Sequence, residues 1–477
     1  MKKLITLLTI LPVLLALLLA GCSPDDPSHP TIVAPTGTQL FANYVAMGNS
    51  LTSGFMDSGL SVDGQINSYP RLISKQIGFS GFTQPRVSLP GVGSTTHPTP
   101  GMIYGVLHWN PNLGTIMPLG QAHLEDVINP ATGYLQDLTQ PTPYHNLGVP
   151  GALLHDVMNA YDAASSVRSV PFFDFINRAS FFGNSEVPAV PDLSPAYQSA
   201  SMFAQTVAKG SSLVTLWIGN NDILGSATSG TDQGMTPANV FQAEYTALVG
   251  TLAGGLLQRT GFPATIVLAN IPSITSIPYF ITEATFEAAI EGSWPWGYEE
   301  SNVSLLTFTA LSWASDAANL GSPVPANYTL TTSEVTNIET AVATYNGIID
   351  GVAAAVTASG YASVGVVDAN AAMTGLTVPE KTHFMLLLPQ TMGNIEAAAA
   401  MTRFSLDGVH PNNHGYGIIA NLFIAKINEM LGTEVPEVDL ASLVWDPTYG
   451  VEVIVPAKTA SPVLSPAVAE AMTAIFK

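Results

Sequence analysis

The sequence predicts an α/β fold: a parallel sheet covered on both faces by helices. Three observations predict it. Short apolar runs recur at Tyr44–Met47, Leu213–Ile218, Thr265–Ala269 and Val364–Val367, each followed directly by Gly, Asn or Asp. Strands buried on both faces read as unbroken apolar runs rather than as alternation. Helical patterns lie between these runs, and strands alternating with helices imply βαβ units. The composition, 47% hydrophobic and only 10% charged over 477 residues, supplies a large core and argues against wholesale disorder.

The chain begins with Lys2 and Lys3, an apolar stretch from Leu4 to Ala20, and the small residues of Leu19-Ala20-Gly21-Cys22. This is the pattern of a secretory signal peptide, slightly short of the ~20 residues that span a bilayer comfortably. An uncleaved membrane anchor is the alternative. The tetrapeptide resembles the lipobox of bacterial lipoproteins. That resemblance implies cleavage after residue 21 and lipidation of Cys22, and so an exported protein anchored in a membrane, the outer one, facing the periplasm or the surface. Several acyl chains hold a protein stably where one does not. Residues 22–40, opening with Ser-Pro-Asp-Asp-Pro after the cysteine, read as a tether.

The main domain is expected over 41–432, with 433–477 as an extension packed on it. Thr236-Pro237 reads as the N-cap and first residue of a helix to about Arg259. Thr331-Thr-Ser-Glu334 reads as a capping box for a helix to about Ala358, stopped by Gly360. Beyond His414, Ile418, Ile419, Leu422, Phe423 and Ile427 recur at helical spacing up to Gly432. Two segments break the alternation and read as insertions at the loop edge of the sheet: about 56–143, rich in Gly, Pro and Thr, and about 273–330, holding Trp294, Trp296, Tyr298 and Trp313. Long loops of this kind are functional or mobile; the aromatic one either lines a cleft or forms a satellite core. In the extension, Val451–Val455 reads as an edge strand, and Ser465-Pro466 caps a short helix over Ala467–Phe476.

Fourteen Lys and Arg stand against 35 Asp and Glu, a formal net charge of -21 with no basic cluster. Such a chain repels phosphate backbones, which excludes nucleic acid as a partner. The one Cys permits neither an internal disulfide nor a cysteine-based zinc site. His410 and His414 are four apart, but Pro411 directly after the first argues against a two-ligand helix, so no metal is expected.

The chemistry concentrates in four places. Tyr44-Val-Ala-Met47 ends in Gly48-Asn49-Ser50, which puts a hydroxyl at the carboxyl end of a strand, the edge where open α/β sheets bind ligands. A plain turn is the alternative. Phe404-Ser-Leu-Asp407-Gly-Val-His410 places a carboxylate three residues before an imidazole. On a turn or short helix both then share one side, with the carboxylate in reach of Nδ1 and Nε2 free. A serine needs such a base, and the base needs such a carboxylate. Leu216-Trp-Ile-Gly219-Asn220-Asn221-Asp222 offers an asparagine amide at a strand end. His145-Asn-Leu-Gly148-Val-Pro-Gly151 offers an unshielded glycine N–H. Fixed donors where negative charge develops contribute about 3 kcal/mol each.

Together these blocks resemble the SGNH hydrolase superfamily, the GDSL-type lipases and esterases: Gly48-Asn49-Ser50-Leu51, Asn146-Leu-Gly148-Val-Pro-Gly151, Gly219-Asn220-Asn221-Asp222 and Asp407-Gly-Val-His410-Pro411. The resemblance implies a flavodoxin-like three-layer α/β/α sandwich with a central parallel sheet of about five strands, and no cofactor. It implies Ser50 as nucleophile, His410 as general base and Asp407 as its orienting partner. The oxyanion hole would be Ser50 N–H, Gly148 N–H and the Asn221 side chain. The family's usual Asp in the first block is Asn49 here, so any role resting on that charge is in doubt.

The expected function is an exported, lipid-anchored serine esterase or lipase acting on a small-molecule, lipid or glycan ester. The alternatives are a carbohydrate O-deacetylase of the same mechanism and a non-catalytic surface lipoprotein that binds glycan or lipid on an inherited hydrolase fold.

Overall fold

The computed structural model of the chain describes residues 40–94, 98–99, 102–123, 143–177, 201–290, 302–319, 322–451 and 464–476. The signal peptide, Cys22 and the tether up to residue 39 lie outside the described residues, as do Trp294, Trp296 and Tyr298. Of the expected strand Val451–Val455 only Val451 is described, and it is not in a strand.

Five strands form the central sheet: β1 Tyr44–Gly48, β2 Asn146–Gly148, β3 Leu213–Trp217, β4 Ala264–Ala269 and β5 Ala362–Val367. All pair in parallel, in the spatial order β2-β1-β3-β4-β5. This is the flavodoxin-like order. It opens a crevice beyond the carboxyl ends of β1 and β3, where the winding reverses. The four runs legible in the sequence are strands, and the Asn146 segment supplies the fifth. β5 differs from the rest: unlike β2 at the sheet's other edge, it has Ser363 exposed and Val364–Val366 half-buried.

The helices that matter here are α1 Ser50–Ser53, α2 Tyr69–Gln76, α3 Met202–Lys209, α4 Asn221–Ala227, α5 Ala238–Thr260, α6 Thr332–Ser359, α7 Asn413–Leu431 and α8 Pro466–Thr473. Strand alternation divides the core in two. Val45 and Met47 of β1 pack in a cluster with Val207 of α3, Leu252 of α5 and Val342 of α6. Tyr44 and Ala46 point the other way, into a cluster with Ile73 of α2 and Phe423 of α7. The result is three layers, α/β/α. α2 comes from the first inserted segment, so that stretch builds part of a helix layer as well as antiparallel ribbons. The second carries a small antiparallel sheet of Phe280–Ile281, Val303–Thr307 and Thr329–Thr331.

Local chemistry sets the helix ends. Thr331 and Glu334 form a reciprocal capping box at the start of α6, and Gly360 ends it in the left-handed conformation. Asn412 caps α7 by accepting from Gly415 N–H at 3.0 Å. α5 departs from the expectation by one residue. Pro237, not Thr236, occupies the cap, because the Thr236 hydroxyl donates instead to Asp222 Oδ1 at 2.8 Å. Ser465 caps α8, which ends at Thr473; a 3-10 turn, Ala474–Phe476, follows.

Candidate active site

The site is built where β1 and β3 end. A Cβ on Gly48 would lie 2.3 Å from the Trp217 carbonyl oxygen and 2.3 Å from Thr52 Oγ1. Only a bare backbone fits between β3 and the first turn of α1. Asn49 then caps α1, accepting from Leu51 N–H at 3.0 Å, while its amide donates to Asn220 Oδ1 at 3.2 Å. It is fully buried. A carboxylate in the same place could cap but not donate, so Asn49 joins two of the site loops as a neutral group.

The second element is the tight turn Ser405–His410, closed by Ser405 N–H to the His410 carbonyl at 2.8 Å and Gly408 N–H to the Ser405 carbonyl at 3.0 Å. Asp407 organises it from within. Its Oδ1 accepts from Val409 N–H at 2.9 Å and from His410 N–H at 2.8 Å. Its Oδ2 lies 3.0 Å from His410 Nδ1. On the other side of the ring, His410 Nε2 lies 2.8 Å from Ser50 Oγ. Asp407 is fully buried, and Ser50 and His410 are each 2% exposed. Burial alone would raise the Asp407 carboxyl; the His410 ring and hydrogen bonds from His410 and Ser58 outweigh it and hold the group at about 2.

The donors differ from one another. Asn221 opens α4, and its amide donates one hydrogen to the Ala152 carbonyl at 2.9 Å, leaving the second for a ligand. Ser50 N–H has no intramolecular acceptor among the described residues. Gly148 does not fit the donor role that the sequence suggests. Its N–H donates to Asn146 Oδ1 at 3.0 Å. The residue also packs directly on α1: a Cβ there would meet Ser53 N at 2.4 Å. Three residues on, Gly151 N–H is unengaged among the described residues, on the loop whose Ala152 carbonyl receives Asn221. Both glycines lie in one short block; which N–H is free depends on the side chain of Asn146.

Two contributors carried no sequence signal. Asp57 and Ser58 both adopt positive φ, 56° and 55°, a conformation that costs a non-glycine residue energy. Ser58 N–H donates to Asp407 Oδ2 at 2.9 Å. Asp57 Oδ1 accepts from Leu406 N–H at 2.8 Å, and its Oδ2 from Tyr449 Oη at 2.8 Å and Trp445 Nε1 at 3.3 Å. The inserted segment thus braces the acidic turn from behind.

In front of Ser50 lies a cleft of about 630 Å³, counting its open mouth. Trp217, Ile223, Ile271, Ile277, Phe404 and Phe476 supply much of its wall, and among the described residues no Lys, Arg, Asp or Glu lines it. Trp313 takes no part: it packs on the main core and lines a separate cavity with Tyr328.

A serine, imidazole and carboxylate in hydrogen-bonded series at a sheet's switch point is the arrangement of an acyl-transfer hydrolase. Residues 44–423 match the family model of the GDSL-like lipases and acylhydrolases. The chain belongs to that family. The match spans every block described above, from β1 into α7. No curated protein and no solved structure matches the chain. As a GDSL-like acylhydrolase, the protein is a hydrolase of ester or acyl bonds, and its substrates are small molecules carrying such a bond.

Proposed function

We propose that this GDSL-family protein is an exported, lipid-anchored serine esterase that cleaves uncharged carboxylic esters with an apolar arm. The observation that carries the proposal is the unbroken series Ser50 Oγ, His410 Nε2, His410 Nδ1, Asp407 Oδ2, with links of 2.8 Å and 3.0 Å.

Ser50 Oγ attacks the ester carbonyl carbon as His410 Nε2 takes its proton. Asp407, held ionised by its donors, keeps the proton of Nδ1 in place and stabilises the imidazolium. The carbonyl oxygen becomes an oxyanion, met by Ser50 N–H and the second amide hydrogen of Asn221; Gly151 N–H is the third donor by the reasoning above. Collapse expels the alcohol, which takes the proton back from His410. Water then gives a proton to His410, attacks the acyl-enzyme and releases the acid. The near-complete burial of the three side chains strengthens each of these interactions.

The largely apolar cleft supports an acyl or alkyl chain over a polar sugar, because Asn220, Asn221 and Ser273 are few partners for a sugar's hydroxyls among so many apolar walls. This favours carboxylic esters over the carbohydrate deacetylase alternative. Anchoring rests on the lipobox-like Cys22 alone. Cys22→Ser should move the protein from the membrane fraction to the soluble one; unchanged fractionation would reject the anchor.

The test of the catalytic reading is turnover of p-nitrophenyl esters together with labelling of Ser50 by a fluorophosphonate. Wild type should do both and Ser50→Ala neither. A wild-type protein that hydrolyses nothing in a panel of alkyl esters and acetylated sugars, yet binds a glycan, would replace the enzyme by a binding protein.

A further inference from the structure

Two aromatic rings pack against His410. The Phe55 ring lies at 4.7 Å between centroids, tilted by 56°, and the Phe476 ring lies parallel to the imidazole at 5.9 Å and 7°. The two phenylalanines are not equivalent. Phe55 belongs to the core and does not line the cleft, whereas Phe476 does. It reaches the site from far along the chain, carried by α8 and the turn after it.

That turn rests on two glycines of the site loops. A Cβ on Gly151 would sit 3.2 Å from the Ile475 carbonyl oxygen, and one on Gly225 of α4 would sit 2.7 Å from the Phe476 carbonyl oxygen. The Gly151 loop and α4 meet at Asn221, and a Cβ at Gly225 would collide with the turn while one at Gly151 would press on it. Upstream, Ser94 Oγ donates to the Ala471 carbonyl at 2.6 Å, and Val468, Met472 and Ile475 are buried in the main core. Phe476 itself is 2% exposed. The ring is therefore held from several directions, and it both contacts the His410 imidazole and lines the cleft.

We propose that Phe476 is a specificity-determining residue: it walls the cleft beside His410 and sets the size of the apolar arm that an ester can place there. The proposal rests on the esterase reading above and adds what limits its substrates. A large aromatic at a pocket wall discriminates by steric exclusion. Each methylene admitted or refused changes kcat/KM by roughly tenfold or more.

The experiment compares wild type with Phe476→Ala, Phe476→Leu and Phe476→Trp. Two ester series are used: p-nitrophenyl esters from acetate to dodecanoate, and acetates of alcohols from ethanol to dodecanol. Removing the ring should raise the kcat/KM ratio of long over short esters by about tenfold in at least one series. Leu should give a smaller rise, and Trp a fall. Phe55→Leu, which changes the other ring against His410 but not the cleft wall, should lower kcat without moving the ratio. Ratios within twofold of wild type in both series, from variants with wild-type melting temperatures, would overturn the proposal. So would an equal shift from Phe55→Leu. A parallel readout needs no turnover: binding of the same alcohols to Ser50→Ala and to Ser50→Ala combined with Phe476→Ala. The chain length bound most tightly should increase in the double variant. No binding of any alcohol, or an identical profile, would refute the wall. Absence of ester turnover by wild type would instead reject the esterase reading, leaving the binding comparison to judge Phe476.

Discussion

Ser58 donates its backbone N–H to Asp407 Oδ2 at 2.9 Å, across 349 residues of chain. The same oxygen faces His410 Nδ1. A left-handed turn in an inserted segment thus fixes the carboxylate that orients the imidazole, and Asp57 beside it holds the neighbouring Leu406 N–H.

Asp57→Ala removes the acceptor of three donors at once, Leu406 N–H, Tyr449 and Trp445. Leaving such groups buried and unpaired costs about 1–3 kcal/mol apiece before relaxation. Denaturant unfolding should show a loss of about 2 kcal/mol or more. At temperatures where the variant is folded, kcat should fall with KM nearly unchanged, because the acidic turn loosens while the cleft wall does not. Asp57→Asn keeps an acceptor for Leu406 N–H and should restore part of both.

Ser50→Ala and His410→Ala should each lower kcat by about 10³-fold or more, and the double variant hardly further, because the two act as one unit. Asp407→Asn should cost about 10⁴-fold, since an amide no longer fixes the working tautomer. Steady-state turnover of one p-nitrophenyl ester measures all four. Retained turnover in Ser50→Ala would sink the mechanism.

Asn221→Ala should lower kcat by about 10²–10³-fold with little change in KM, the mark of a donor that acts chiefly on the oxyanion. Fluorophosphonate labelling should slow in parallel. A change confined to KM would place Asn221 in ground-state binding instead.

Buried carboxyls make stability depend on pH in two opposed ways. Burial pushes Asp57 up to about 7 and Asp222 up to about 6, against hydrogen bonds that lower both. A raised carboxyl favours the folded state below its unfolded value near 4, and that contribution is lost as pH rises to the folded value. Asp407, held at about 2, stabilises above its unfolded value, and that contribution is lost as pH falls towards 2. Asp57 and Asp222 therefore lower the melting temperature between about pH 4 and pH 7. Half-buried His145 and buried His383, held down by burial at about 3 and about 4, act the opposite way over the same range. Asp57→Asn and Asp222→Asn should each make the slope with pH more positive than in wild type. An unchanged slope in both variants would show that these groups do not carry it.

The sequence by itself determined the α/β class, four of the five central strands and the ends of the long helices. Those features are local. A strand buried on both faces must be apolar throughout, and Thr331, Glu334 and Gly360 act on backbone within a few residues of themselves. Resemblance to a family singled out Ser50, Asp407 and His410, but it placed the glycine donor at Gly148, whose N–H turns out to be engaged by Asn146. Tertiary structure alone decided that engagement, the brace of Asp57 and Ser58 behind Asp407, and the Phe476 ring against His410. The last two join segments far apart in the chain, with no periodicity or spacing between them to read; Asn146 reaches Gly148 across only two residues, but its amide is fixed by a bond to the distant Thr52 carbonyl at 2.9 Å. Such pairs meet only because β1, β3 and the acidic turn converge at one edge of the sheet, where packing of the whole core sets the distances.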